Sequence, residues 1–216
     1  MGKVKKDAVL SILRAELGYK ESPAGSNRTK YGVWYGLNGF AWCVMFQMWA
    51  FAQAGALDMV PKKTASCSEL MRAAKAAGQW VTGEYRSGDL VIFDFPNTKY
   101  KTDHCGMIWA VLDGGRYMVI EGNTGVTSDS NGGEVMARIR EESVILGAWR
   151  PDWEEVEAVP LDNNIPDSYA LEAVEWAKVN GILQGDAHGN LNLHQPCSRQ
   201  HVLVWLWRLA KLLGKA

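Results

Sequence analysis

The sequence predicts an α+β fold in which helices come first and a small antiparallel sheet follows, with a small helical module at the C-terminus. Three observations predict it. Apolar residues recur at helical spacing up to about residue 77 and alternate as in strands from about residue 90. A DGG tripeptide joins two strand-like runs as a tight hairpin. An acidic stretch with two prolines, PDWEEVEAVPLDNNI, separates this region from two further helix-like segments. The domains are accordingly expected at 1–151 and 166–216, with 152–165 as linker.

Each element follows from its residues. Val4, Ala8, Ile12 and Ala15 share a helical face, so residues 4–17 form a helix that ends near Gly18. Residues 19–39 mix glycines, a proline and polar residues with Tyr31, Trp34 and Tyr35. A linker would not carry three large aromatics, so this is a structured loop. AWCVMFQMWAFAQA, residues 41–54, holds no charge and no breaker and reads as a buried helix with Cys43 in its first turn. Ser66 with Glu69 predicts a capping box for a helix over 68–77. RSGDLVIFDF, DHCGMIWAVL and RYMVIEGNT then read as strands, the last two antiparallel across DGG, and SVILGAWR as a closing strand. Beyond the linker, Ala170, Ala173, Val174 and Ala177 predict a helix stopped at Asn180-Gly181, and a last helix runs over about 198–213. Two helices bury little on their own, so this module is expected to dock on the first domain or to pair with another copy as a homo-oligomer.

With 216 residues, 47% of them hydrophobic, the chain can bury a sizeable core. Its formal charge of -1 divides unevenly: 18 Lys/Arg against 15 Asp/Glu up to residue 150, and 5 against 9 after it. Neither half reads as a nucleic-acid surface or a membrane anchor. MGKVKKDAVLSILRAEL has no unbroken apolar run and no cleavage site, so the expectation is a protein made in the cytoplasm without a signal peptide. Action outside the cell would then need a separate release device. Four scattered cysteines do not make a disulfide scaffold, and Cys67, Cys105 and Cys197 read as small buried hydrophobes.

Cys43 reads differently. In the first turn of a helix, unpaired N–H groups and the positive dipole end lower a thiol's pKa and can also bind an oxyanion. Such a nucleophile needs a base, and His104 is the histidine of the first domain, at the start of a strand. His188, His194 and His201 read as surface or turn residues of the tail. Alternation puts His104, Gly106, Ile108 and Ala110 on one face and Cys105 on the other, with Gly106 leaving room beside the imidazole. Across the hairpin, Glu121 follows an apolar run and needs a partner if buried. His104 is that partner, and Asn123 is placed to orient the ring or a substrate carbonyl.

The strings GLNGFAWCVMF, GDLVIFDF, DHCGMI and VIEGNT resemble the CHAP family, the cysteine and histidine dependent amidohydrolases/peptidases of the papain-like group that includes NlpC/P60 peptidases. The resemblance covers roughly residues 20–151 and implies a papain-like fold with Cys43 as nucleophile, His104 as base and Glu121 as the acid that orients it. Asn123 matches the polar residue of the family's E-x-N pattern. It further implies a peptidoglycan hydrolase of endolysin type, an amidase or an endopeptidase, released by a holin in the phage case. From their place on the loop that feeds the helix, Tyr31, Trp34 and Tyr35 either line the substrate groove, with Trp42 beside them, or pack over the helix start. Trp42 stands where many members have a Gln that helps form the oxyanion hole, which leaves that residue unassigned. Residues 21–38 contain no Asp, so no metal and no cofactor are expected. The tail resembles a single S-layer homology repeat, which implies a secondary cell-wall polymer as partner or a purely structural role; Trp205 and Trp207, if exposed, favour a carbohydrate-binding or oligomer surface, and if buried are core. Two other functions keep the same residues: a cysteine protease or toxin acting on protein, and a non-catalytic wall-binding protein.

Overall fold

The computed structural model describes residues 4, 6–96, 98–99, 101–154, 164–166, 168–186 and 189–214. Most of the expected linker, residues 155–163, lies outside these, as does His188. The chain divides into two compact units, Met1–Glu155 and Val156–Ala216.

The first unit is α+β. Helix α1 (Lys6–Ala15) buries Val9, Leu10 and Leu13 and stops before Gly18, whose φ of 86° ends the helical path. Residues 30–35, expected within a loop, form a short helix α2 (Lys30–Tyr35). Caps hold it at both ends: Thr29 Oγ1 accepts from Gly32 N at 2.9 Å, and Gly36 takes the left-handed conformation. A helix of under two turns shows no apolar period, which is why spacing did not reveal it. Helix α3 (Cys43–Gln53) is buried nearly all round, as its uncharged sequence requires. Helix α4 (Cys67–Ala76) starts at Ser66, whose side chain accepts from Glu69 N at 3.4 Å. Glu69 turns its carboxylate to Lys62 and Arg72 instead of back to Ser66, so only half of the capping box forms.

The strands β1 (Trp80–Val81), β2 (Leu90–Phe93), β3 (His104–Leu112), β4 (Arg116–Thr124), β5 (Glu134–Glu141) and β6 (Ile145–Trp149) make one antiparallel sheet of order β1-β6-β2-β3-β4-β5. The β3–β4 hairpin pairs Leu112 with Arg116 across Asp113-Gly114-Gly115, as DGG predicts. Strands β1 and β5 were not expected from sequence. β5, EVMARIRE, is rich in charge because it is an edge strand, where charged side chains reach water and discourage pairing with other chains. A register shift between Ile108 and Ala110 limits the expected alternation of β3 to its first half. One face of the sheet packs Leu90, Ile92, Cys105, Met107 and Ile120 into a core shared with α1, α3 and α4. The other face gathers Phe93, Phe95, Ile108, Tyr117 and Val119.

In the second unit, α5 (Leu171–Val179) ends at Asn180-Gly181 and α6 (Arg199–Leu212) begins with a capping box of Ser198 and His201. Among the described residues no helix is long and apolar enough to cross a membrane.

Candidate active site

Cys43 is the first residue of α3, and the surrounding packing fixes that helix end. Trp42, the residue before it, is fully buried, stacks on Tyr31 with centroids 5.3 Å apart, and donates from Nε1 to Glu21 Oε2 at 3.2 Å. One turn on, Gln47 Nε2 donates to the Ile120 carbonyl at 3.1 Å and clamps α3 to β4. Gly122 permits the contact, since a Cβ there would lie 2.7 Å from Phe46 Cδ1 and 2.8 Å from Trp42 Cζ3. Cys43 as a residue is 6% exposed.

His104 opens β3, is fully buried, and stacks on Phe93 at 6.0 Å. Its Nε2 lies 3.2 Å from Glu121 Oε2 on β4. Among the described residues neither ring nitrogen makes an aligned hydrogen bond, so Glu121 and Cys43 act on the ring through charge and loose polar contact. Gly106 faces Glu121 across the β3–β4 ladder, and the space above it is filled by the Glu121 stem, with a virtual Cβ 2.7 Å from Glu121 Cγ and 2.6 Å from Val119 Cγ1. The room expected beside the imidazole is thus the path of the carboxylate. Gly106→Ala is expected to cost about 1–3 kcal/mol by overpacking, read from urea unfolding, and to lower activity by displacing Glu121.

Glu121 has a partner that the sequence did not disclose. Arg140 on β5 grips it with Nε to Oε1 at 2.7 Å and Nη2 to Oε2 at 2.6 Å, while its Nη1 reaches Asp129 Oδ1 at 2.6 Å. The guanidinium carbon also sits 4.9 Å from the Phe95 ring centroid. Burial pushes the Glu121 carboxyl up, but Arg140 and His104 outweigh it and hold the pKa below the usual value.

On the opposite face of β3, Cys105 turns toward α3 and meets Cys43 and Cys67, the first residue of α4. The three Sγ atoms lie within 4.8 Å of one another. Thiol contacts from Cys105 and Cys67 lower the Cys43 pKa well below its ordinary value, against burial and with help from His104. Burial and the neighbouring Cys43 push Cys105 up. Cys67 is also raised: the contact with Cys105 lowers it, but Cys43 and burial prevail. Burial lowers the His104 pKa, yet contact with Cys43 and Glu121 overcomes this and raises it to about 9. Of the three thiols Cys43 is therefore the one most disposed to ionise, and His104 beside it is disposed to keep its proton.

Other expected residues fall elsewhere. Tyr31 and Trp42 have no exposed surface and are core, because their rings complete the aromatic packing over α3; they do not line a groove. Trp34 and Tyr35 are half-buried, with Lys63 Nζ 4.7 Å and 5.1 Å from their ring centroids. Asn123 is buried with φ 61° and braces the loop after β4: Nδ2 donates to Asn131 Oδ1 at 3.3 Å and Oδ1 accepts from Gly133 N at 3.2 Å. Its amide is engaged there instead of on His104. Cys67 and Cys105 are buried as expected but act on Cys43, whereas Cys197, expected to be buried, is exposed in the irregular stretch just ahead of α6. His201 caps α6, and His194 Nε2 lies 2.9 Å from the Ile165 carbonyl. In the second unit a hollow is lined by Asp186, Asn190, Asn192, His201, Trp205 and Arg208.

Residues 34–123 match a family model described as CHAP domain. No match was found among curated proteins. Among solved structures, the wild-type endolysin LysIME-EF1 is 15% identical, with 88% of this chain and 89% of that one covered and a TM-score of 0.46. Ly7917 is 16% identical over 68% of this chain, with a TM-score of 0.43, and the alignment spans 63% of its length. A lipoprotein-like NLP/P60 family protein from Staphylococcus aureus is 13% identical, covering 72% of this chain and 45% of its own, with a TM-score of 0.37. The matched stretch begins at Trp34, takes in Cys43, His104 and Glu121, and ends at Asn123.

Proposed function

We propose that the chain is a peptidoglycan hydrolase that cleaves an amide bond, in the stem peptide or at the muramoyl-L-alanine linkage, through a Cys43 thioester. The observation that carries this reading is the opposed displacement of two buried groups inside the CHAP match: Cys43 is held toward thiolate and His104 toward imidazolium, with Glu121 3.2 Å from the ring. Cys43 Sγ attacks the scissile carbonyl carbon, and His104 gives its proton to the leaving nitrogen as the C–N bond breaks. Water then attacks the thioester, losing a proton to His104 as the C–S bond breaks and regenerates the thiolate. Glu121 balances the imidazolium in the resting enzyme and again as His104 takes up the proton from water during thioester hydrolysis.

The oxyanion falls to backbone N–H groups of the first turn of α3, which has no side-chain cap. Trp42, at the position where a side-chain donor was in question, spends its Nε1 hydrogen on Glu21. Substrate contact falls to the exposed parts of Trp34 and Tyr35 and to Phe40, which is 65% exposed three residues before Cys43. The hollow around Trp205 offers an aromatic ring among amides and a carboxylate, a suitable lining for a wall saccharide.

Mass spectrometry of fragments released from purified peptidoglycan, with Cys43→Ala alongside, tests the proposal. Stem peptides freed from muramic acid identify an amidase, and new termini inside the stem or bridge an endopeptidase. Absence of Cys43-dependent release from several wall types overturns the reading.

A further inference from the structure

We propose that Cys43, Cys67 and Cys105 form a three-thiolate site for a soft d10 cation of the zinc class, and that its occupation switches the hydrolase off. The site is assembled from three rigid elements: Cys43 begins α3, Cys67 begins α4, and Cys105 is the second residue of β3. All three side chains are buried, and their sulfurs lie within 4.8 Å of one another. Zinc–sulfur bonds of about 2.3 Å in a tetrahedral arrangement place sulfurs roughly 3.8 Å apart, so a contraction of about 1 Å or less closes the set. Catalysis by Cys43 requires only one thiol, and burying two more against it gives the nucleophile a ready pair of co-ligands.

The donor set fixes the class of ion. Three sulfurs without a carboxylate favour soft cations over magnesium or calcium. Charge is also provided for, because the N-terminal ends of α3 and α4, helices of 11 and 10 residues, each place a cysteine in the cluster. Binding is not a redox step: the cation accepts three sulfur lone pairs, and protons from those cysteines that are still thiols go to solvent. Three protein ligands leave a fourth position open to water. The inhibitory part rests on the hydrolase reading above, since coordination draws off the charge of the Cys43 thiolate and makes it a poor nucleophile.

The test uses the full chain, freed of metal by chelator under reductant, and titrated with Cd2+ while thiolate-to-metal charge-transfer absorbance is followed in the ultraviolet. The expected result is one Cd2+ per chain, displaced by Zn2+, with wall digestion lost in proportion to the band. Cys67→Ser and Cys105→Ser should each weaken binding by more than the ~10–100-fold that loss of an outer-shell partner costs. Cys197→Ser, altering the exposed cysteine of the other unit, should bind as the parent does. Circular dichroism checks each fold, and Cys67→Ala and Cys105→Ala replace any serine variant that does not fold. No band, or a band unchanged in the Cys67 and Cys105 variants, overturns the site whether or not the wall is digested. Full digestion at saturating Cd2+ overturns the switch. A stoichiometric, cysteine-dependent band in a chain that digests no wall upholds the site and removes the hydrolase reading instead.

Discussion

Cys43→Ala should lower amide cleavage by on the order of 10⁶-fold, the scale seen when a nucleophile is removed from a constellation that works as a unit. Its folding stability should stay within about 1 kcal/mol of the parent, because one buried atom is lost while a thiolate at a 6% exposed position is also removed. Single-turnover release from peptidoglycan measures the first, and thermal or urea unfolding the second. Retention of activity within tenfold would sink the assignment of Cys43.

The same pair sets the pH response. Cys43 is held below its ordinary value and His104 is raised from 6.5 to about 9, so thiolate and imidazolium coexist between the two. Plotted against pH, kcat/KM should rise with Cys43 ionisation and fall as His104 loses its proton near about 9. For stability the sign is that of a raised base: the contribution of His104 is complete below its unfolded value of 6.5 and is lost as pH climbs through about 9. In Cys43→Ala the thiolate is gone, so the alkaline loss of stability should move to lower pH.

Much of this site was legible in residues 41–54, 104–108 and 116–121. A charge-free run places Cys43 in a helix's first turn, a period of two gives the strand that begins at His104, and DGG sets the antiparallel register that brings Glu121 back to it. The unread parts share one cause: they depend on contacts between elements whose local patterns say nothing of their partners. Arg140 lies on an edge strand whose charges mask its alternation, and its register partner on β4 is Tyr117, so only the side-chain geometry shows that its guanidinium reaches along the sheet to Glu121. A buried carboxylate does demand a cation, and that requirement could have prompted a search for a basic residue on an adjacent strand. Cys67 and Cys105 looked like ordinary buried thiols because their convergence on Cys43 needs the packing of α4 and β3 against α3. Sequence position left Tyr31 open between groove and core and set Trp42 with the groove, because aromatic side chains beside a helix start can serve the core as readily as a substrate; burial places both in the core.

Arg140→Gln should destabilise the fold by about 3–5 kcal/mol at neutral pH, the cost of leaving a buried charge without its partner. Glu121 is fully buried and would lose both of its arginine hydrogen bonds. In the parent the depressed Glu121 pKa adds stability above its unfolded value of 4.5, and that stability is lost as pH falls. In the variant burial pushes the carboxyl up, so protonation relieves it, and the gap between the two proteins should narrow toward acid pH. Arg140→Lys should recover part of the loss, since an ammonium supplies charge without the two-pronged geometry. The double change Glu121→Gln with Arg140→Gln should be less destabilising than the sum of the single changes, because neither charge is then left unpaired. The readout that separates positioning from packing is the alkaline limb of the activity profile. If Arg140 works through Glu121 on His104, loss of its two-pronged grip frees the Glu121 carboxylate from its place beside the ring, support for the imidazolium weakens and the limb falls below about 9. If Arg140 only holds strands together, residual activity in the folded variant keeps its limb near about 9, and the relay from Arg140 through Glu121 to His104 is wrong.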